Sequence, residues 1–483
     1  MKQTSIFTSV ALLMALAAQA QNNTSVVSQT GNAQSATAVQ TGSANESIIQ
    51  QLTGSSAVTN GGNRAITTQT GTSSTQAKNQ ATIDQINGSF FNQGGITQKG
   101  GTGNQASIQQ NNNSGGTGLY GSSGATLGNQ ADISQTGADN QQVSIQQNGG
   151  SLGASQANAA RIVQVGSEMD MGTPAPGGTV IEQNNLSIGN SASIAQGTGQ
   201  SGATMNTAVL LQNDDSQRNT AGIVQEGSGQ VAKLDQSIES LDNRGQISQV
   251  GTSGTAFLTQ SGLSGNNEAS ISQTGTSIGA FGRVSQSTES YYNRSTLEQN
   301  GVNEVGRISQ RDESANNDAM IRQGAAGTNN QATIVQTNAY AGGSAGASTL
   351  LGGANSASIG QNQTTGSSSG NVAVIQQGTF DPSPAGSVVS TGNQAGITQG
   401  NDVNVADLIQ VGTGNKGTVS QNGYSTLKGV DDLNGINQTA GQFGTNNTLT
   451  VTQTGSVGNI NMGNVTQIGT GNVSAITQAG LTL

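Results

Sequence analysis

One phrase recurs from end to end of this 483-residue chain: Asn, any residue, a small residue, any residue, an aliphatic, any residue, Gln, often with Gly two places further on. Copies stand at Asn79, Ala81, Ile83 and Gln85; at Asn129, Ala131, Ile133 and Gln135; at Asn267, Ala269, Ile271 and Gln273; and at Asn393, Ala395, Ile397 and Gln399. There are about 31 copies, and in the middle of the chain they fall 11 or 13 residues apart. The spacing inside each copy has period two, the mark of a strand with one covered face. The charges sort accordingly. Asp84, Asp132, Arg161, Arg283, Arg294, Glu298, Asp407 and Lys416 all sit between the repeated positions. Glu304 and Asp432 depart from this, each at the first inward position, where the rim of a strand is expected. A disordered Gln/Asn tract has no reason to sort its charges in this way.

Gly, Asn, Ser and Thr fill the short connectors, which suits tight corners with positive φ. Pro174, Pro176, Pro382 and Pro384 all fall outside the phrase, as ladder hydrogen bonding requires. A strand, a corner and a second strand make one rung, so the expected fold is all-β: a parallel cross-β solenoid with two short strands per rung and about 15–16 rungs. At ~4.8 Å per rung the stack is ~75 Å tall. Single rungs bury too little to stand alone, because backbone ordering costs ~1–2 kcal/mol per residue. Stacking adds a full ladder, and inward Asn and Gln amides are expected to bond to their equivalents one rung away. Residues 21–483 thus read as one continuous array, with inserted loops near 111–128, 167–178, 337–354 and 379–392.

No capping element is visible at either end. The first copy runs from Asn23 through Val27 to Gln29, and the last contains Asn472, Ser474, Ile476 and Gln478. Neither carries an edge-blocking Pro or Lys, so Asn23, Val27, Gln29, Ile476 and Gln478 are expected to form polymerisation edges for further copies of the chain. Residues 1–20 read as a secretion signal: Lys2, an apolar run from Val10 to Ala18, and a small-residue cleavage site ending at Ala20. The apolar run is too short to span a bilayer, so no membrane insertion is expected.

Composition narrows the chemistry. A net charge of −10 argues against an electrostatic grip on nucleic acid. The chain has no Cys and no His, which removes disulfides, the usual zinc sites and histidine-based triads. No cofactor, metal or catalytic residue is expected. The glycines of Gly412-Thr-Gly414-Asn-Lys-Gly417 fit a nucleotide-loop pattern, but no helix pattern follows them. Gly100–Asn104 lacks the Asp of a calcium-binding turn, and Asp214–Asp215 has no evident catalytic partner.

Gln410, Gly412, Gly414, Asn415 and Gln421, and likewise Gln467, Gly469, Gly471, Asn472 and Gln478, resemble the curlin repeat. The resemblance covers nearly the whole array. It implies a curli major subunit: a functional amyloid of the extracellular fibre on the bacterial surface, serving biofilm matrix and cell adhesion. It also implies passage through an outer-membrane secretion pore and a surface nucleator as partners. Most copies here open with Asn where family repeats usually open one half with Ser, and the repeat number is several times the usual one. The alternative is a monomeric secreted β-solenoid adhesin, displaying loops such as Leu119-Tyr120 or Tyr291-Tyr292.

Overall fold

In the computed structural model every regular element among the described residues is a strand, and the strands form two large parallel sheets and one small pair, Gly327–Thr328 with Ser368–Ser369. The structure describes residues 23–479 except 31–33, 53–62, 73–77, 87–91, 111–127, 138–141, 149–156, 166–177, 185–186, 198–205, 276, 288–289, 312–314, 325–326, 338–354, 362–367, 378–391, 402–403, 423–424, 429–439 and 455–460. The signal segment, all four prolines, Asp432 and most of each inserted loop lie outside the described residues.

The chain alternates between the sheets, one strand in each per turn. The first sheet begins with Thr24–Thr30 and contains 18 strands; the second begins with Ser35–Ser43 and contains 16. Two levels of the first sheet are each split in two. Strand Val405–Thr413 carries both Ser425–Lys428 and Ala440–Thr445, and these in turn carry Asn461–Asn464 and Thr466–Thr470. Both sheets therefore have 16 levels, and the fold is a parallel β-solenoid of 16 rungs.

Register explains why the phrase repeats. Ile223, Ile247, Ile271 and Leu297 stack in the second sheet, with Ala221, Gly245, Ala269 and Ser295 in the adjacent column. In-register parallel pairing places each residue type on its own kind, so through most of the stack an inward aliphatic meets another aliphatic above and below. Ile247 and Ile271 are at most 1 % exposed.

The small position has a separate cause, and it lies in the facing sheet. A Cβ on Gly245 would stand 3.2 Å from Leu234 Cδ1, and one on Gly282 would stand 2.9 Å from Ile271 Cγ2. Each sheet's aliphatic column thus presses against the other sheet's small column. Two large columns face to face would overfill the layer, and two small ones would leave voids. Near the start of the solenoid the rule is met differently. Thr67 holds an aliphatic position, and its hydroxyl lies 2.6 Å from that of Ser47, so this polar pair is buried but satisfied.

Corners turn on one left-handed residue just before the inward Asn. Gly189 (φ 65°), Arg218 (53°), Asp242 (54°), Asn266 (54°) and Tyr292 (55°) occupy equivalent corners. Gly at this place adopts the conformation without a Cβ penalty, which accounts for the frequent Gly-Asn pair.

Candidate assembly site

Two columns of glutamine run the length of the solenoid, and both are unbroken. In the first sheet each Gln Nε2 donates to the Oε1 of the next rung, from Gln29 to Gln467, at 2.7–2.9 Å. The second sheet does the same from Gln40 to Gln478 at 2.6–3.0 Å. The sense is common to both ladders. The second N–H of the amide fixes it by donating to a backbone carbonyl of the facing sheet, as from Gln85 to Arg64 (3.2 Å) and from Gln98 to Gln80 (3.1 Å). A flipped amide would set oxygen against oxygen there. The ladders therefore start on the amide oxygens of Gln29 and Gln40 and end on the amide N–H groups of Gln467 and Gln478.

The asparagine column behaves differently from the side-chain-to-side-chain ladder expected from the sequence. In the second sheet the Oδ1 of each Asn accepts the backbone N–H of the next Asn, without interruption from Asn63 to Asn472, at 2.8–3.1 Å. The reason is position. Asn opens the strand at a corner, where its own N–H would otherwise be buried without a partner. In several corners the Asn Nδ2 then donates to a serine of the next rung: Asn190 to Ser216, Asn219 to Ser240, Asn243 to Ser264 and Asn267 to Ser290. These buried serines were not picked out from the sequence. The signal was present as Ser three places before Asn, at Ser216/Asn219, Ser240/Asn243, Ser264/Asn267 and Ser290/Asn293.

The structure places the interior candidates as follows. Asn79, Ala81, Ile83, Gln85, Asn129, Ala131, Ile133, Gln135, Asn267, Ala269, Ile271, Gln273, Asn393, Ala395, Ile397 and Gln399 are all buried. The outermost strands differ. Val27 is 42 % exposed while Ile49, its partner one rung in, is 0 % exposed. Asn23 is half-buried and Gln29 is exposed, yet both already bond inward, to Asn45 and Gln51. At the other pole Asn472, Ser474, Ile476 and Gln478 are half-buried and alternate with exposed residues along Val473–Ala479. Val451, the register partner of Ile476, is fully buried.

Glu304 corrects the rim expectation: it is 0 % exposed. It takes the Asn place in the first sheet, and its Oε2 accepts the N–H groups of Asn300 (3.2 Å) and Gly301 (3.0 Å) in its own corner. The longer side chain turns back to satisfy these donors. Burial pushes its carboxyl up to about 7 against the pull of these hydrogen bonds. Asp407, on the outward face, is pushed by burial to about 6.

The remaining motifs are corners. Gly412 (φ 107°) and Gly414 (φ 66°) link two strands with no helix after them, and Asp214 and Asp215 are both left-handed turn residues. Among the described residues no cluster of three or more acidic side chains gathers where a metal ion could be held. No protein-family model matches this chain, and no curated protein matches it.

Proposed function

We propose that this protein is a structural subunit of an extracellular, curli-like amyloid fibre, growing head to tail by strand stacking. The supporting observation is the half exposure of Val27 in a column whose interior members are fully covered. A second copy laid on that pole would cover Val27 and extend both glutamine ladders in their existing sense, N–H onto oxygen. It would also pair the open edge of Thr24–Thr30, which an isolated molecule leaves available for association. Open, non-closing stacking of this kind gives a filament. Export behind the signal segment, passage through an outer-membrane pore, a surface nucleator, and roles in biofilm matrix and adhesion belong to the same reading through the curlin resemblance.

The test uses prolines. Val27→Pro with Ile476→Pro removes a ladder donor in each outermost strand, while the central rungs depend only on their neighbours. The double variant is expected to keep its β-rich circular dichroism and to elongate slowly or not at all. Gly116→Pro with Ser344→Pro, in the long connectors, is expected to elongate like wild type. Loop prolines that stop growth while the strand prolines do not would overturn the head-to-tail reading. Wild-type protein that stays monomeric would favour the adhesin.

A further inference from the structure

The two outer faces treat charge in opposite ways. On the second sheet, Arg244, Glu268, Arg294 and Asp318 stack in one column with alternating sign, and Glu298 pairs with Arg322 at 2.9 Å in another. On the first sheet, at the same height, Arg283 lies directly beneath Arg307. Both are exposed, and neither is in an ion pair among the described residues. Like charges directly opposite each other on neighbouring strands are destabilising, so folding alone does not favour this arrangement.

The surroundings add to the contrast. Outward positions of the strands Thr255–Ser261, Phe281–Ser287, Val305–Arg311 and Gln331–Thr337 carry no Asp or Glu. Two aromatic rings sit beside the arginines. Phe257 and Phe281 meet edge to face at 5.9 Å, and the Arg307 guanidinium lies over the Phe281 ring, 5.6 Å from its centre. Ser285 and Ser309 supply hydroxyls on the other side of the arginines, and Thr255 and Thr259 flank Phe257 on its strand. The patch is positive on a chain whose net charge is −10.

We propose that this face binds an acidic polysaccharide, running along the solenoid axis. Stacked guanidiniums bind carboxylates through paired N–H donors, and rings flanked by hydroxyls suit the mixed apolar and polar faces of a sugar. A pyranose chain advances by about one ring per rung, since rungs are ~4.8 Å apart. Arg283 and Arg307, one rung apart, therefore converge on the carboxylates that such a chain turns toward this face. The site belongs to each solenoid and does not depend on polymerisation.

Immobilised full-length protein titrated with polygalacturonate, neutral dextran and duplex DNA tests this. Polygalacturonate is expected to bind with an affinity that falls as salt is raised, and dextran is not. Arg283→Ser with Arg307→Ser is expected to weaken polygalacturonate binding at least tenfold, while Arg294→Ser with Arg322→Ser on the other sheet changes it less than twofold. Circular dichroism checks that both variants keep the solenoid. Equal losses in the two double variants, or no loss in the first, would overturn the proposal. So would DNA binding with the same arginine dependence, which would assign the face to phosphates. Wild-type bundles that disappear in the first variant without any polysaccharide would also overturn it, making the face a contact between copies.

Discussion

Replacing Gln273 with Leu probes the ladder at mid-stack, where the side chain is 1 % exposed. Its Oε1 accepts from Gln249 at 2.8 Å, and its Nε2 donates to Gln299 at 2.9 Å and to the Thr255 carbonyl at 3.1 Å. Leu is apolar and of similar bulk, so neither a large cavity nor overpacking confuses the result. What remains is one amide N–H of Gln249 and the Oε1 of Gln299, both buried and without their ladder partner. The Gln249 amide nitrogen keeps its bond to the Val231 carbonyl, and its Oε1 still accepts from Gln225. At ~1–3 kcal/mol for each orphaned group the cost is about 2–6 kcal/mol, trimmed by the apolar gain to about 2–5. At ~1.4 kcal/mol per tenfold, local opening rises roughly 30- to 4,000-fold. Hydrogen exchange read by mass spectrometry is the assay. Protection should fall by that factor in strands Arg244–Thr252, Glu268–Gln273 and Arg294–Gln299 and stay unchanged at Gln130–Thr136, because rungs couple only to their neighbours. Ser272→Leu, one residue earlier and facing outward, is expected to stay within ~0.5 kcal/mol of wild type. Unchanged protection in Gln273→Leu, or equal loss in Ser272→Leu, would refute the reasoning.

Ile271→Lys buries an ammonium between Ile247 and Leu297 and is expected to lower the thermal midpoint sharply, whereas Ser270→Lys leaves it near wild type; equal effects would put the strand's facing in error. Glu304 titrates higher in the folded chain, about 7 against an ordinary 4.5, so the folded state holds the proton more tightly. Stability is then expected to fall as pH rises from about 4.5 through about 7 and to stay low above that. Glu304→Gln should resist urea better than wild type at pH 8 and no better at pH 4, and identical pH profiles would count against a buried, proton-holding Glu304.

The strands were legible because period two, sorted charges and a constant length all point to one structure. Asn267, Ala269, Ile271 and Gln273 announce their facing without any neighbour in view. What the phrase does not carry is the partner of each position. Ala269 is small because of the opposite sheet, not its own, and sequence spacing gives no sign of that. The Asn Oδ1 bonds to a backbone N–H because Asn opens a strand at a corner, a placement that only the turn geometry reveals. Glu304 reads as a rim charge because it occupies an Asn position at the start of a strand, while its extra methylene lets it fold back under the corner. The split level at Ser425–Lys428 and Ala440–Thr445 has no signature in the sequence, because no single run there contains the phrase.

The in-register pairing also fixes how the molecule bears a load. Its rungs are joined in series, so tension along the axis is the same at every interface and the strength of the whole is that of the poorest joint. Nine residue pairs join Thr220–Ser228 to Arg244–Thr252. Thr179–Glu182 has only three register pairs with the strand above it, Val180 to Val209, Ile181 to Leu210 and Glu182 to Leu211, followed by the bonds from Gln183 to Gln212 and from Asn184 to Asn213. A pull from the two poles concentrates extension there, and the rungs beyond it stay intact while that level opens.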